Sequence, residues 1–270
     1  MTIIKAHAYG NDFLFADNAV VAGRDVAALA RQLCARHTGI GGDGLILYSF
    51  TDDGATMRLI NADGSPSELS GNGLRCLAAL VMRERERRHA GGAGAPTEVR
   101  ADTGAGERRL TLTSRAGGRY MFRAAMGHPA GVTQETLDVA GESLPVVILN
   151  IGNPQVVALM RSLPDHERFN RLGPGLATHP RFAEGTNVEF AVVARPDRVN
   201  ILIWERGVGP TEASGTGACA AAVAAMTAGG ASRDVDVASP GGTQRVEWNA
   251  DGVFLTGWAE ILFDATWRAS

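Results

Sequence analysis

Two serines stand in the same setting far apart in the chain. Ser70 opens Ser70-Gly71-Asn72-Gly73 and Ser214 opens Ser214-Gly215-Thr216-Gly217; each runs into a helix-like stretch, over 71–88 and 215–228, with Cys76 or Cys219 soon after. A helix N-terminus leaves backbone N–H groups unpaired and carries the positive end of the dipole. Gly71, Gly73, Gly215 and Gly217 would let a ligand approach that backbone closely. Two such termini facing each other would hold a carboxylate and stabilise negative charge developing on a neighbouring carbon. The serines would then lie on either side of that carbon. The plain alternative is that each serine only caps its helix, a role serine fills very often. A cap needs one acceptor and no Gly-x-Gly after it, so the duplication favours chemistry.

Other polar residues cluster at expected turns: Asn11, Asn61, Asn153, Asn187, Glu205 and Arg206. An Asn in a turn is usually there for backbone reasons. Four of them beside repeated strand-turn units, with an arginine, better suit a site that grips carboxylate and ammonium groups. The residues thus point to a cleft between two halves that binds a small charged molecule.

Competing chemistries fit less well. The histidines show no zinc spacing, and no Ser-His-Asp order carries a nucleophile elbow. Gly39–Gly44 matches a dinucleotide fingerprint in letters but precedes a strand. Gly215–Ala220 opens a helix with Asp234 and Asp236 beyond it, but the strand before it ends near Arg206, too far for the tight turn. Lys5 is the sole lysine, and a pyridoxal-phosphate enzyme needs one for its Schiff base. No cofactor and no metal are expected.

The elements that must position these residues come next. Strands are expected at 2–6 and 13–16 around a turn at 9–12, then a helix over 24–37 stopped by Gly39. Strands at 45–48 and 56–60 lead to the first serine loop, and the helix after it ends in Arg83-Glu-Arg-Glu-Arg-Arg88. That run reads as a solvated helix end favoured by the dipole, in preference to a nucleic-acid patch. Residues 89–96 read as a flexible loop. Short strands follow at 97–101, 109–113 and 120–125, then a pair at 145–150 and 155–160, and one or two short helices within 165–178. Strands at 187–194 and 199–205 lead to the second serine loop, and the tail at 234–264 is strand-like. Strand pair, helix, strand pair, serine loop, helix occurs twice. The reading is therefore an α+β protein of two pseudo-symmetric domains, 1–117 and 118–270, whose last strand could return to the first.

Bulk properties agree. The chain of 270 residues is 45% hydrophobic and 20% charged, with net charge −3, which offers no electrostatic reason for a nucleic-acid or membrane partner. Three cysteines, Cys34, Cys76 and Cys219, suit buried free thiols in a reducing compartment. No stretch reads as a signal peptide or a membrane span, and a cytoplasmic location is expected.

The residues resemble the diaminopimelate epimerase family, in nine blocks in register. They are Gly10-Asn-Asp-Phe13, Gly39-Ile-Gly-Gly-Asp-Gly44, Asn61-Ala-Asp-Gly-Ser65, Gly71-Asn-Gly-Leu-Arg-Cys76 and Asp102-Thr-Gly-Ala-Gly106. Gly152-Asn-Pro154, Thr186-Asn-Val-Glu-Phe190, Trp204-Glu-Arg-Gly-Val-Gly209 and Gly215-Thr-Gly-Ala-Cys219 complete the set. The resemblance implies two similar mixed β-barrels, each around a central helix, and a homodimer. It also implies a cofactor-independent two-base inversion of an amino-acid α-carbon, from LL- to meso-diaminopimelate, in lysine and peptidoglycan-precursor synthesis. It places substrate binding at Asn11, Asn61, Gly71, Asn72, Asn153, Asn187, Arg206, Gly215 and Thr216, and chemistry at Ser70, Ser214 and Glu205.

Here the chain departs from the family. Ser70 and Ser214 match its two catalytic cysteines, while Cys76 and Cys219 match non-catalytic ones. A thiol ionises near neutral pH and more readily at a helix N-terminus, whereas a hydroxyl needs an adjacent base. Gln155 stands where the family usually has His, Ala8 replaces a common Gly, and Pro210 and Glu212 alter the approach to Ser214. If 212–214 are extended, Glu212 points the same way as Ser214. Three readings stay open: an epimerase whose serines are activated by helix dipoles and Glu205 or Glu212; a sister isomerase, racemase or dehydratase acting on another carbon acid; or a ligand-binding protein with weak or no catalysis.

Overall fold

The computed structural model describes residues 1–67, 69–88 and 96–268. The loop expected at 89–96 lies, apart from Pro96, outside them. The chain divides into two compact units, Met1–Ala124 with Gly257–Ser270, and Ala125–Thr256.

The first part of the chain carries β1 (Thr2–Ala8), β2 (Asn11–Asp17), α1 (Asn18–Val21), α2 (Val26–Cys34), β3 (Gly44–Phe50), β4 (Gly54–Asn61), β5 (Pro66–Ser67) and α3 (Gly71–Arg88). It continues with β6 (Glu98–Thr103), β7 (Gly106–Ala116) and β8 (Arg119–Gly127). Beyond it come β9 (Ala130–Val139), β10 (Glu142–Asn150), β11 (Pro154–Leu159), α4 (His166–Ala177), β12 (Asn187–Arg195) and β13 (Arg198–Glu205). The last are β14 (Gly209–Thr211), α5 (Gly215–Ala228), β15 (Asp234–Ser239), β16 (Gly242–Asn249) and β17 (Gly252–Thr266).

The two units repeat one pairing scheme. In the first, β1–β2 is antiparallel, β2–β3 parallel, β3–β4 antiparallel, β4–β6 parallel, and β6–β7 and β7–β8 antiparallel. Pairing of β8 with β17 and of β17 with β1, from Thr2 opposite Thr266 to His7 opposite Glu260, closes the ring. In the second, β10–β11 is antiparallel, β11–β12 parallel, β12–β13 antiparallel, β13–β15 parallel, and β15–β16 and β16–β17 antiparallel. There β9 flanks β10 as β17 flanks β1. The fold is α+β, two pseudo-symmetric domains of mixed barrel type.

Composition explains why a helix lies at the centre of each. Every residue from Asn72 to Met82 of α3 is buried, and so is every residue from Gly217 to Ala225 of α5. A helix buried on all faces belongs inside a protein, and the Ala-Cys-Ala-Ala-Ala-Val-Ala-Ala run of α5 keeps it slender enough for strands to wrap. Its neighbours include Val147, Val157, Ile201, Val237 and Leu255. The outer helices are one-sided: α2 packs Leu29 and Leu33 against strand residues such as Leu14 and Leu45, and α4 packs Phe169, Leu172 and Leu176 against Val156 and Phe190.

Some expectations need correction. The helix expected over 24–37 spans only Val26–Cys34: Asp25 caps it through the Ala27 and Ala28 N–H groups, and the Ile40, Gly41 and Gly42 N–H groups fold back onto the Leu33 and Cys34 carbonyls. Strand β9 and the short α1 were not anticipated. Only Leu137 and Val139 of β9 are buried, so its pairing with β10 leaves almost no apolar alternation to read. The basic end of α3 is not simply a solvated face. Arg83 and Arg87 reach Asp264 of β17 at 2.9 and 3.7 Å. Arg85 donates to the carbonyls of Asp53, Pro96 and Glu98 at 2.7–2.8 Å. No helix of the described residues is long and apolar enough to cross a membrane.

Candidate active site

In the first unit the side chains of interest gather at the head of α3. Ser70 Oγ accepts from the Gly73 N–H at 3.1 Å, and its carbonyl accepts from the Leu74 N–H at 2.8 Å. Gly71 is the first helical residue and Asn72, buried, the second. Asn72 Nδ2 donates to Asn11 Oδ1 at 3.1 Å, and Asn11 Nδ2 donates to Asp43 Oδ2 at 2.6 Å. Arg75, one turn in and 1% exposed, donates to Asn72 Oδ1. Thus Asn11 and Asn72 are brought together, with a buried cation beneath them. Asn61, at the end of β4, bonds within its own turn, donating to Ser65 Oγ at 2.9 Å.

An ion cluster braces the start of β2. Asp12 meets Lys5 at 2.8 Å and Arg36 at 3.0 Å, and Arg36 meets Asp43 at 2.7 Å. Burial alone would raise the Asp12 carboxyl, but hydrogen bonds from Arg36 and Lys5 outweigh it and hold it below the usual carboxylate range. Lys5 also donates to the Gly41 carbonyl at 2.9 Å, so the sole lysine ties β1 to the glycine loop.

In the second unit the arrangement recurs at the head of α5. Ser214 has extended backbone (φ −134°, ψ 132°) and its Oγ accepts from the Gly217 N–H at 3.2 Å. Gly215 opens the helix, and Thr216 Oγ1 lies 3.5 Å from Ser214 Oγ and 3.5 Å from Asn153 Nδ2. Asn187 Nδ2 donates to the Pro154 carbonyl at 3.2 Å, and its Oδ1 accepts from the Arg206 N–H at 3.0 Å. Arg206 in turn donates to the Glu184 carbonyl at 3.0 Å. Asn153, Thr216 and Ser214 therefore form one chain of contacts, and Asn187 and Arg206 another. Glu205, half-buried, ends β13.

Three sequence readings change here. The polar residues assigned to turns mostly sit at strand ends, Asn11 and Asn187 beginning β2 and β12, Asn61 and Glu205 ending β4 and β13. Glu212 is exposed in a bend while Ser214 is buried, so the extended run that would align the two is absent. Gly73 and Gly217 serve packing. A Cβ at Gly217 would lie 2.6 Å from Glu189 Oε1, and one at Gly73 would lie 2.9 Å from Ile46 Cδ1. Their missing side chains make room for protein atoms beneath the helix, not for a ligand.

Sequence reasoning assigned no role to Glu189, Asp43 or Gln244. Glu189 and Gln155 are wholly buried, Glu189 against Gly217 at the head of α5, and Gln244 Nε2 donates to the Ser214 carbonyl at 3.3 Å. Burial pushes the Glu189 carboxyl well above its ordinary range, and the charge of Glu205 pushes it further. The available signal was a charged residue between apolar ones inside the strand Asn187–Arg195, flanked by Val188 and Phe190. Cys34, Cys76 and Cys219 are buried free thiols, and burial pushes Cys76 up to about 12. No group of three or more His, Cys, Asp or Glu among the described residues is arranged to hold a metal ion.

The chain is 39% identical to the diaminopimelate epimerase of Desulforudis audaxviator, over 99% of each. It is 38% identical to that of Desulfitobacterium hafniense, over 97% of this chain and 96% of that one. A crystal structure described as a probable proline racemase, from Agrobacterium radiobacter, shares the fold at a TM-score of 0.71 with 16% identity, covering 100% of this chain and 93% of that one. The family model for diaminopimelate epimerase matches residues 3–129 and 147–262. With twin barrels, twin serine-capped central helices and matching residues along nearly its full length, this chain belongs to the diaminopimelate epimerase family.

Proposed function

We propose that this protein inverts the α-carbon of diaminopimelate, LL to meso, without a cofactor, using Ser70 and Ser214 as the two acid/base groups. The observation that carries the proposal is the duplicated helix head, with each serine oxygen held by the N–H three residues on. Helix N-termini favour the ionised form of a group placed there. One serine, as alkoxide, takes the α-proton from one face of the carbon. The other, as hydroxyl, gives its proton to the opposite face, and the C–H bond broken is replaced by the C–H bond formed. The two oxygens end with exchanged protonation and reset through solvent. The backbone N–H groups at the two helix heads would hold the α-carboxylate and the charge it gains. Asn11, Asn61, Asn72, Asn153, Asn187 and Arg206 would grip the remaining polar groups, with Glu205 as a base beside Ser214. A homodimer in the cytoplasm belongs to the same reading.

The test is deuterium uptake at the α-carbon of LL- and meso-diaminopimelate in D₂O. Uptake above a protein-free blank is expected; none, with calorimetric binding intact, would reject catalysis. One observation favours that second reading, a ligand-binding protein on the same scaffold. Both matched catalytic positions carry hydroxyls, and the thiol of Cys76 is buried too deeply to ionise. Uptake on a different carbon acid instead would indicate a sister isomerase, racemase or dehydratase.

A further inference from the structure

Beneath Ser214 lies a buried polar chain. Glu189 sits on β12 opposite Val157 of β11 and Ile203 of β13, against the head of α5. One end of the Gln155 amide is 3.1 and 3.2 Å from the two Glu189 oxygens. The other end is 3.2 Å from Thr216 Oγ1 and 2.6 Å from Asn153 Oδ1. Thr216 Oγ1 is 3.5 Å from Ser214 Oγ. An amide has a donor end and an acceptor end, so the two possible orientations of Gln155 are not equivalent.

If the Glu189 carboxyl holds a proton, it donates to the Gln155 carbonyl, and the Gln155 amide N–H groups donate to Asn153 Oδ1 and Thr216 Oγ1. The Thr216 hydroxyl is then left to donate to Ser214 Oγ. That oxygen already accepts from Gly217, so the Ser214 proton turns away from the chain, as an acid's must. If Glu189 is ionised, the Gln155 N–H groups must face it. The Gln155 carbonyl then accepts from the Thr216 hydroxyl, Asn153 turns its own amide to donate, and Thr216 Oγ1 accepts from Ser214. The Ser214 proton now points into the chain and a lone pair is left outside. No proton travels along the chain; two amides turn, two hydroxyls rotate, and only Glu189 gains or loses a proton.

We propose that Glu189 is a positioning residue whose ionisation sets the direction of the chain Glu189–Gln155–Thr216–Ser214, and so whether Ser214 offers a proton or a lone pair. The consequence for catalysis rests on the reading of Ser214 as an acid/base group; the direction of the chain does not. The charged surroundings of Glu189 are few. β11 carries no titratable side chain, α5 carries only Cys219, and β13 contributes Glu205 nearby and Arg198 at its far end. Among the described residues no cation is set against Glu189 to lower the cost of ionising it, and burial with the Glu205 charge holds it toward the protonated state.

The experiment uses the whole protein without substrate, labelled with ¹³Cδ in glutamate and ¹⁵Nε2 in glutamine, followed by NMR from about pH 5 to about pH 9. The Glu189 carboxyl is expected to titrate above the ordinary carboxylate range, and the Gln155 side-chain N–H signals to move at the same midpoint. In Glu189→Gln, which keeps the shape, the Gln155 signals should stay put across the range. A Glu189 midpoint in the ordinary range, or Gln155 signals that ignore it, overturns the proposal. Where deuterium uptake is measurable, kcat should inflect at that midpoint and lose the inflection in Glu189→Gln with KM little changed; an inflection surviving in the variant removes the link to Ser214. Absence of uptake with the paired NMR titration intact counts against the epimerase reading alone.

Discussion

Ser70 and Ser214 each accept a hydrogen bond from the third helical residue, so the capping role and the proposed chemical role fall on the same oxygen. Substitution separates them. Ser70→Cys together with Ser214→Cys should raise deuterium uptake by several orders of magnitude, since a thiolate at a helix head lowers the barrier by about a few kcal/mol. The same change should lower the urea midpoint, because a thiol caps poorly and each lost cap costs about 1 kcal/mol. A faster, less stable protein is the expected pair of outcomes; an unchanged rate would mean that these positions do not face the reacting carbon. At this scale the motif letters were sufficient to find both serines and the asparagines. They were silent on Glu189, whose importance comes from lying under Gly217, about thirty residues along the chain.

The central helices show what a glycine is for when it follows a cap. At Gly73 an added methyl would meet Ile46 Cδ1 at 2.9 Å, the flexible end of a side chain, with Met57 Cε and Ser70 Cβ farther off at 3.3 Å. At Gly217 it would press on Glu189 Oε1 and on Ser214 itself, where the buried carboxyl has little room to move. Gly217→Ala should therefore cost about 2–3 kcal/mol, and Gly73→Ala about 1 kcal/mol or less. Urea denaturation of the two variants measures the difference, and equal losses would contradict the packing argument. The helices themselves were legible because their apolar runs are long. The strand Ala130–Val139 was not, since eight of its residues are exposed or half-buried and its place comes from backbone pairing with Glu142–Asn150.

Across the whole molecule, the first unit is assembled from both ends of the chain. Its ring closes only when Glu260–Thr266 of β17 pairs with Thr2–His7 of β1. A fragment of residues 1–124 lacks that strand and leaves β1 with an open edge, so it should show no cooperative thermal melt. A fragment of residues 125–256 keeps a continuous unit and should melt cooperatively. Circular dichroism on the two pieces decides it; a sharp transition in the first would show that closure is dispensable.

The amino-acid order alone determined the repeat, the two capped helices and the residues that match the family, because these are local patterns: helix caps, apolar runs and turn motifs a few residues long. Tertiary structure decided that β17 completes the first barrel, that Gly73 and Gly217 face protein, and that Glu189 lies beneath Gly217. Each of these depends on strand register, and register is fixed by partners far away in the chain.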